Sequence, residues 1–572
     1  MGITVASLPI SSTRVPSMPD AGVRIQLDLR IPMRDGVNLY GAAYLPPRGE
    51  RFPVLLIRSP YSTQHPRYVD WAVRFASSGY AAVMVDSRGR YESEGRWRAY
   101  VDEARDGYDT QQWIGVQAWC DGNIGMFGIS YPGFTQILPA PFRSPYVKGL
   151  MPIANQEDNY GHLRYNGVLQ LQNAMNWIWL GVRTNQQAPR DLLDWDRIYR
   201  RLPLISAMDG IADRPFFREV VRHNEFDAFW SSYSMKGRYR EVNTPAYFVT
   251  GWYDNLVHEG FKCFRGWRRE AGDARARKLT RLMVGPWTHS QIGSAEPFGD
   301  VDFGPDAAVD IPGEHLRWYD QRLRGIDTGI DEEPPVRIFV MGRNTWRSED
   351  EWPLARTKYT AWYLHSGGRA NSVSGDGKLS LQAPGDEPAD RFAYDPADPV
   401  PTVGGQSMFP SNTGPRDRRA VERREDVLVY TTDTLASDVE ATGPVELILF
   451  AASDARDTDF TATLVDVYPD GMAIHVTEGI VRARFRESFR RPCLIPHGAV
   501  VEYRIVLWET GNVFKAGHRI RLEVSSSNFP RFDRNLNTGN VPGLDEEMRV
   551  ARQTIHHCSQ YTSYLRLPVI PE

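Results

Sequence analysis

Two stretches near the start of the chain, residues 23–31 and 37–45, alternate apolar and polar positions, with Met33-Arg34-Asp35-Gly36 between them. A period of two on either side of a turn-forming tetrapeptide predicts a β-hairpin. The pattern then changes to short unbroken apolar runs, Pro53-Val54-Leu55-Leu56-Ile57 and residues 80–85. Such runs belong to strands buried on both faces. Between them, residues 68–78 place Val69, Ala72, Val73, Phe75 and Ala76 at helical spacing and stop at Gly79. Residues 101–114 predict another helix, and residues 123–127 and 148–153 two further strands. Strands alternating with helices imply a parallel, doubly wound α/β sheet, whose site is built by loops at the carboxyl ends of the strands.

From residue 155 to 242 buried strand runs are missing and apolar residues such as Leu171, Met175, Ile178 and Trp179 recur at helical spacing, which predicts a helical insertion over that carboxyl edge. The α/β pattern then resumes with a strand at 246–250, a helix at 261–269, a strand at 278–284 and one near 334–342. Beyond 345 short alternating runs are punctuated by turn residues, the signature of an all-β sandwich of jelly-roll type, and the Pro/Gly/Asp-rich stretch 384–415 reads as a long surface connection. The expected division is an N-terminal arm (1–22), a first part of the core (23–153), a helical cap (154–242), a second part of the core (243–344) and a jelly-roll domain (345–572).

Composition narrows the function classes. The 572 residues are 41% hydrophobic and 24% charged, which suits a globular protein with large cores. A net charge of −4 without a basic stripe argues against nucleic acid as a partner. No apolar run is long enough to predict a transmembrane helix, and residues 1–20 lack the features of a signal peptide. Cys120, Cys263, Cys493 and Cys558 are scattered without metal-ligand or redox spacing, so reduced thiols in a cytoplasmic protein are expected.

The candidate chemistry begins at Gly128-Ile129-Ser130-Tyr131-Pro132-Gly133, where an apolar strand runs into a serine and then a segment able to start a helix. Strand, sharp turn, serine and helix form the context of a nucleophile elbow. An unassisted hydroxyl is barely nucleophilic, so Ser130 needs a base and an orienting acid. Asp254 and His289 each lie just past a buried strand, and the order Ser, Asp, His is that of α/β-hydrolases. Histidine titrates near neutrality and suits the base role, while the carboxylate would fix its tautomer. Taken singly, each of these residues is more often structural; order and strand-end position together favour a triad. His258 is the nearest rival base, His162 and His223 fall in the insertion, and Asp86 is the competing carboxylate, read as part of a salt-bridged loop. The expected oxyanion donors are the N–H of Tyr131 and, in place of a glycine run after an early strand, the phenol of Tyr61. Candidate pocket residues are Trp177, Trp179, Trp252, Leu256 and Trp287, although the cap tryptophans suit a helix–helix core as well.

These motifs, with Arg58-Ser59-Pro60-Tyr61, Asp86-Ser87-Arg88-Gly89, Gly251-Trp252-Tyr253-Asp254, Gly285-Pro286-Trp287-Thr288-His289, Gly443-Pro444-Val445-Glu446 and Ser525-Ser526-Ser527-Asn528-Phe529-Pro530, resemble the bacterial cocaine esterase family. That family is related to glutaryl-cephalosporin acylases, α-amino-acid ester hydrolases and Xaa-Pro dipeptidyl-peptidases. The resemblance implies an α/β-hydrolase core with a helical cap and a jelly roll, Ser130 as nucleophile, His289 as base, Asp254 as its orienter, and Tyr61 with Tyr131 as the oxyanion hole. It also implies a cofactor-free enzyme without a metal, acting on a small-molecule ester or amide, and is compatible with a homodimer. In the α-amino-acid ester hydrolases carboxylates two and three residues after the triad aspartate help to bind the substrate's ammonium group. Here those positions are Leu256 and Val257, which argues for an apolar or aromatic acyl group. A serine carboxylesterase is therefore expected first, an amide-cleaving acylase or Xaa-Pro dipeptidyl-peptidase-like hydrolase second, and a non-catalytic carbohydrate-binding protein as a remote third.

Overall fold

The early strands show why their sequences are apolar throughout. Val54 and Leu56 enter one core while Leu55 and Ile57 enter another on the opposite face, and Val83 and Met84 divide in the same way. Alternation with both faces covered leaves no position for a polar side chain. The structure, a computed structural model, describes residues 22–181, 190–211, 215–408 and 412–571. All but the last residue of the expected N-terminal arm lies outside the described residues.

The first part of the core contains β1 (Arg24–Pro32), β2 (Asn38–Leu45), β3 (Phe52–Ser59), α1 (Pro66–Ser77), β4 (Ala81–Asp86), α2 (Glu103–Gly115), β5 (Cys120–Met126), α3 (Tyr131–Ile137) and β6 (Val147–Leu150). Its strands lie in the order β1-β2-β4-β3-β5-β6, with β1 and β2 forming the expected antiparallel hairpin and β3 to β6 parallel. The insertion follows as α4 (Asn159–Leu163), a two-residue-per-strand hairpin of β7 (Arg164–Tyr165) and β8 (Val168–Leu169), α5 (Leu171–Leu180), α6 (Trp195–Tyr199), α7 (Pro215–Arg222) and α8 (Ala228–Ser231). The second part of the core comprises β9 (Tyr247–Tyr253), α9 (Val257–Glu270), α10 (Ala274–Leu279), β10 (Arg281–Thr288), α11 (Ile311–Leu323), β11 (Val336–Val340) and β12 (Thr345–Glu349). Parallel bridges Leu150↔Ala246 and Ile153↔Val249 join the two parts edge to edge, so the carboxyl ends of β3, β5, β9 and β10 open on one side.

Two expectations are corrected here. Residues 345–349 were expected to open the all-β domain, but β12 pairs antiparallel with β11 and finishes the α/β sheet. Its alternation is that of an edge strand, which looks the same in either setting. The stretch 384–415 does not stay on the surface. Gln406 is 1% exposed and donates from Nε2 to the Trp252 carbonyl at 3.2 Å, and the Ser407 hydroxyl donates to Gln172 Oε1 at 3.1 Å. These side chains serve polar groups that the strand end and α5 leave buried.

The remaining strands, from Lys358–His365 to Tyr564–Val569, form the jelly-roll sandwich, whose fifteen-residue strand Val439–Ser453 pairs along its length with Val501–Phe514. The insertion is stitched to this domain: the Tyr165 hydroxyl donates to the Val506 carbonyl at 2.7 Å and the Leu169 N–H to Asp533 Oδ1 at 2.8 Å. No helix among the described residues is long and apolar enough to cross a membrane.

Candidate active site

Ser130 sits where β5 hands over to α3, at φ 69° and ψ −123°. A non-glycine residue in that region is strained, and the surroundings hold it there. The Ser130 N–H donates to the Ile153 carbonyl at 2.9 Å, and the Ser130 carbonyl accepts from the N–H groups of Gly133 (2.8 Å) and Phe134 (3.0 Å). Two glycines make the turn passable. A Cβ at Gly128, whose φ is +133°, would meet Pro132 Cβ at 2.5 Å, and one at Gly133 would meet the Ile153 carbonyl oxygen at 2.6 Å. As the first helical residue, Tyr131 keeps its N–H outside the intrahelical ladder.

Asp254 directly follows β9 and His289 directly follows β10. Asp254 is fully buried; its Oδ1 accepts from the Leu256 N–H at 2.9 Å and faces His289 Nδ1 at 3.0 Å. With Nδ1 committed to the carboxylate, His289 has Nε2 available on its other side. His289 and Ser130 line one cavity of about 270 Å³. Tyr61, Tyr68, Ile129, Trp177, Leu180 and Met408 also line it, with His65, Arg67 and Ser290 as polar neighbours.

The Trp177 Nε1–H donates to the Tyr61 hydroxyl oxygen at 2.7 Å. An indole N–H only donates, so the Tyr61 oxygen accepts there and its own hydrogen is free for another acceptor. Ser130 shares the cavity with it, and burial pushes the phenol far above its ordinary range, so it stays protonated. The Tyr131 ring is clamped in turn. Its hydroxyl donates to Glu103 Oε1 at 2.8 Å and accepts from the Tyr100 N–H at 3.0 Å, while Glu103 pairs with the fully buried Arg58 at 2.8 Å.

The rival residues fall elsewhere. His258 lies in the first turn of α9 and pairs with Glu509 at 2.9 Å. His223 pairs with Asp227 at 2.5 Å in the insertion. His162 lies near enough to Asp254 and His289 to feel their charge, but burial pushes its imidazole down to about 4 and Asn173 occupies its Nε2 at 2.7 Å. Asp86 accepts from the Thr63 N–H at 2.8 Å, and burial raises its carboxyl to about 7. The ion pairs of that loop are those of Arg88 with Asp106 (2.6 Å) and Asp35 (2.9 Å) and of Glu94 with Arg30 (3.8 Å).

Of the five candidate pocket residues, only Trp177 lines the cavity at Ser130. Trp252 is stacked on Phe261 and donates to the Phe339 carbonyl at 2.7 Å. Trp287 donates to the Ala307 carbonyl at 2.9 Å, Leu256 belongs to the core under α1 and α11, and Trp179 packs edge-on against Trp195. Trp252 and Trp287 are inside strands, where side chains point into the layers rather than out of the sheet's end. His65, Arg67, Tyr68, Leu180, Ser290 and Met408 escaped the sequence reading, because periodicity does not show which cap, loop or jelly-roll side chains meet in space.

Comparison with known proteins identifies the family and the fold. Residues 35–291 match the X-Pro dipeptidyl-peptidase (S15 family) profile, and residues 328–566 match the X-Pro dipeptidyl-peptidase C-terminal non-catalytic domain. The chain is 40% identical to cocaine esterase of Rhodococcus sp. over 585 aligned positions, covering 97% of this chain and all of that protein. An α-amino acid ester hydrolase structure superposes with a TM-score of 0.84 at 24% identity, covering 99% of this chain and 100% of its own. An aminopeptidase from a marine sediment Thaumarchaeota archaeon also gives a TM-score of 0.84 at 24% identity, covering 99% of both chains. At that identity the two structures establish the fold: an α/β-hydrolase core with a helical insertion and a C-terminal jelly roll. The chain belongs to the cocaine esterase family, within the wider X-Pro dipeptidyl-peptidase group of serine hydrolases.

Proposed function

We propose that this chain is a serine carboxylesterase that cleaves esters of small apolar or aromatic acids through an acyl-enzyme. Ser130 Oγ attacks the ester carbonyl while His289 takes its proton. The resulting oxyanion is held by the Tyr61 O–H and the Tyr131 N–H. His289 then protonates the departing alcohol, and a water activated by the same imidazole releases the acid and restores Ser130. Asp254 keeps the His289 proton on Nδ1 and stabilises the imidazolium that forms in each half-reaction. The observation that carries this reading is the 3.0 Å contact of Asp254 with His289 Nδ1, behind a cavity that His289 shares with a serine held at φ 69°. The Trp177 hydrogen bond supports the Tyr61 role, since it leaves the phenol hydrogen free to donate. All four cysteines are free thiols, which supports a cytoplasmic location.

Amide cleavage is the second reading, favoured by the dipeptidyl-peptidase descriptions of both matching profiles. Against it, a dipeptidyl-peptidase must hold its substrate's ammonium terminus, and none of the described residues lining the cavity is a carboxylate. Matched substrates separate the readings. Phenyl butyrate should turn over with a burst of phenol when deacylation limits, and butyranilide and an Xaa-Pro anilide should be at least about 100-fold slower in kcat/KM. Faster cleavage of the Xaa-Pro anilide would reverse the order.

A further inference from the structure

The cavity at Ser130 offers one permanent positive charge, the Arg67 guanidinium, in a chain that is net negative. Besides His289 it is lined by His65 and Arg67, without a carboxylate among the described residues, although the whole chain carries −4. Neighbouring arginines are neutralised: Arg58 by Glu103 at 2.8 Å, Arg74 by Asp310 at 2.5 Å and Arg88 by Asp106 at 2.6 Å. Arg67 has no ion pair among the described residues, and its guanidinium donates from Nη2 to the Ser290 carbonyl at a long 3.4 Å. Nor does Arg67 serve the helix it begins, since a cation in the first turn opposes the helix dipole and no acidic residue stands there. His65, beside it, packs against Tyr68 with ring centroids 5.3 Å apart, and its Nδ1 is buried without a partner. A guanidinium without a carboxylate partner on the wall of the cavity is a ready anion-binding group.

We propose that Arg67 selects esters whose alcohol half carries a carboxylate. The placement rests on the reading of His289 as the group that protonates the leaving alcohol. The alcohol must leave past His289, and Arg67 is bonded to the carbonyl of the very next residue, Ser290. The acyl half then lies against the apolar contacts, Trp177, Leu180 and Met408 among them. Arg67 is exposed, so the attraction is modest and screened by salt.

The test compares 3-carboxyphenyl butyrate with phenyl butyrate, esters of one acid whose phenols leave about equally well. The readout is the ratio of their kcat/KM values, not either rate alone. In wild type at low ionic strength the ratio should be about 5 in favour of the carboxylate, and it should shrink towards 1 in about 0.5 M salt. Arg67→Gln should bring it to about 1, and Arg67→Glu should invert it. A wild-type ratio of 1 or less, or a ratio unchanged in both variants, would overturn the proposal while leaving the esterase reading intact. Preference for monophenyl succinate, with the carboxylate on the acyl half, over both butyrates would overturn the placement. Failure of the folded enzyme to cleave any of the three would remove the esterase reading and this inference with it.

Discussion

Two clusters of serine, histidine and aspartate among the described residues are built in opposite ways. Ser130, His289 and Asp254 lie at the mouths of parallel strands, with the serine on a strained turn and the histidine between carboxylate and cavity. Ser366, His557 and Asp390 lie inside the jelly roll. There the Ser366 hydroxyl donates to Asp390 Oδ1 at 2.7 Å, and His557 Nε2 is 2.9 Å from Asp390 Oδ2 and 3.1 Å from the serine. One ring nitrogen therefore meets both partners, so the imidazole cannot carry a proton from serine on one side while the acid holds it on the other. Asp390 also accepts from Tyr430 at 2.7 Å and from the Ala370 N–H at 2.8 Å, and both His557 and Asp390 are fully buried. The difference shows that residue types and short distances do not make a catalytic triad. In the proposed triad the additions are a shared cavity and a second imidazole nitrogen not taken up by the carboxylate.

The sharpest way to break the comparison is to remove each serine. Ser130→Ala should lower kcat by about 10⁵-fold or more with little change in melting temperature, whereas Ser366→Ala should leave kcat within about 2-fold. Next are the acids. Asp254→Asn should cost about 10⁴-fold in kcat through the wrong histidine tautomer. Asp390→Ala should leave kcat per folded molecule intact and lower unfolding stability by about 3 kcal/mol, read from chemical denaturation, because it strands buried partners. Tyr61→Phe should slow acylation by about 100- to 1000-fold, and Trp177→Phe, which removes the hydrogen bond orienting that phenol together with part of the ring packing on Tyr100 and Tyr131, by about 3- to 10-fold.

The smallest effect is in acid. Burial alone would raise the Asp390 carboxyl, but hydrogen bonds from His557, the Ala370 N–H, Tyr430 and Ser366 outweigh it and hold it below its ordinary value of 3.8. Folding therefore favours the ionised form. That contribution is complete above the unfolded-state value and is lost as pH falls through the depressed folded one. The stability gap between wild type and Asp390→Asn should accordingly be constant near neutrality and narrow once the pH drops below about 4 in denaturation measurements.

Much of the core was legible because burial on both faces writes itself as unbroken apolar runs. That is why β3, β4 and β9 could be placed, and why Ser130, Asp254 and His289 stood out just beyond strand ends. The same logic, applied too loosely, misassigned Trp252 and Trp287. Both lie within their strands, where the pleat directs side chains into the layers. The cavity wall was less legible still. Met408 reaches it from a stretch that composition marks as a connection, and Arg67 from the first turn of α1, and neither leaves a periodic trace.

The central claim is that Ser130 is the activated nucleophile, and a fluorophosphonate tests it directly. Intact-mass and peptide analysis should find a single adduct on Ser130, formed in step with loss of esterase activity and absent in Ser130→Ala. An adduct on another serine, or a folded and unlabelled protein that still hydrolyses esters, would contradict it.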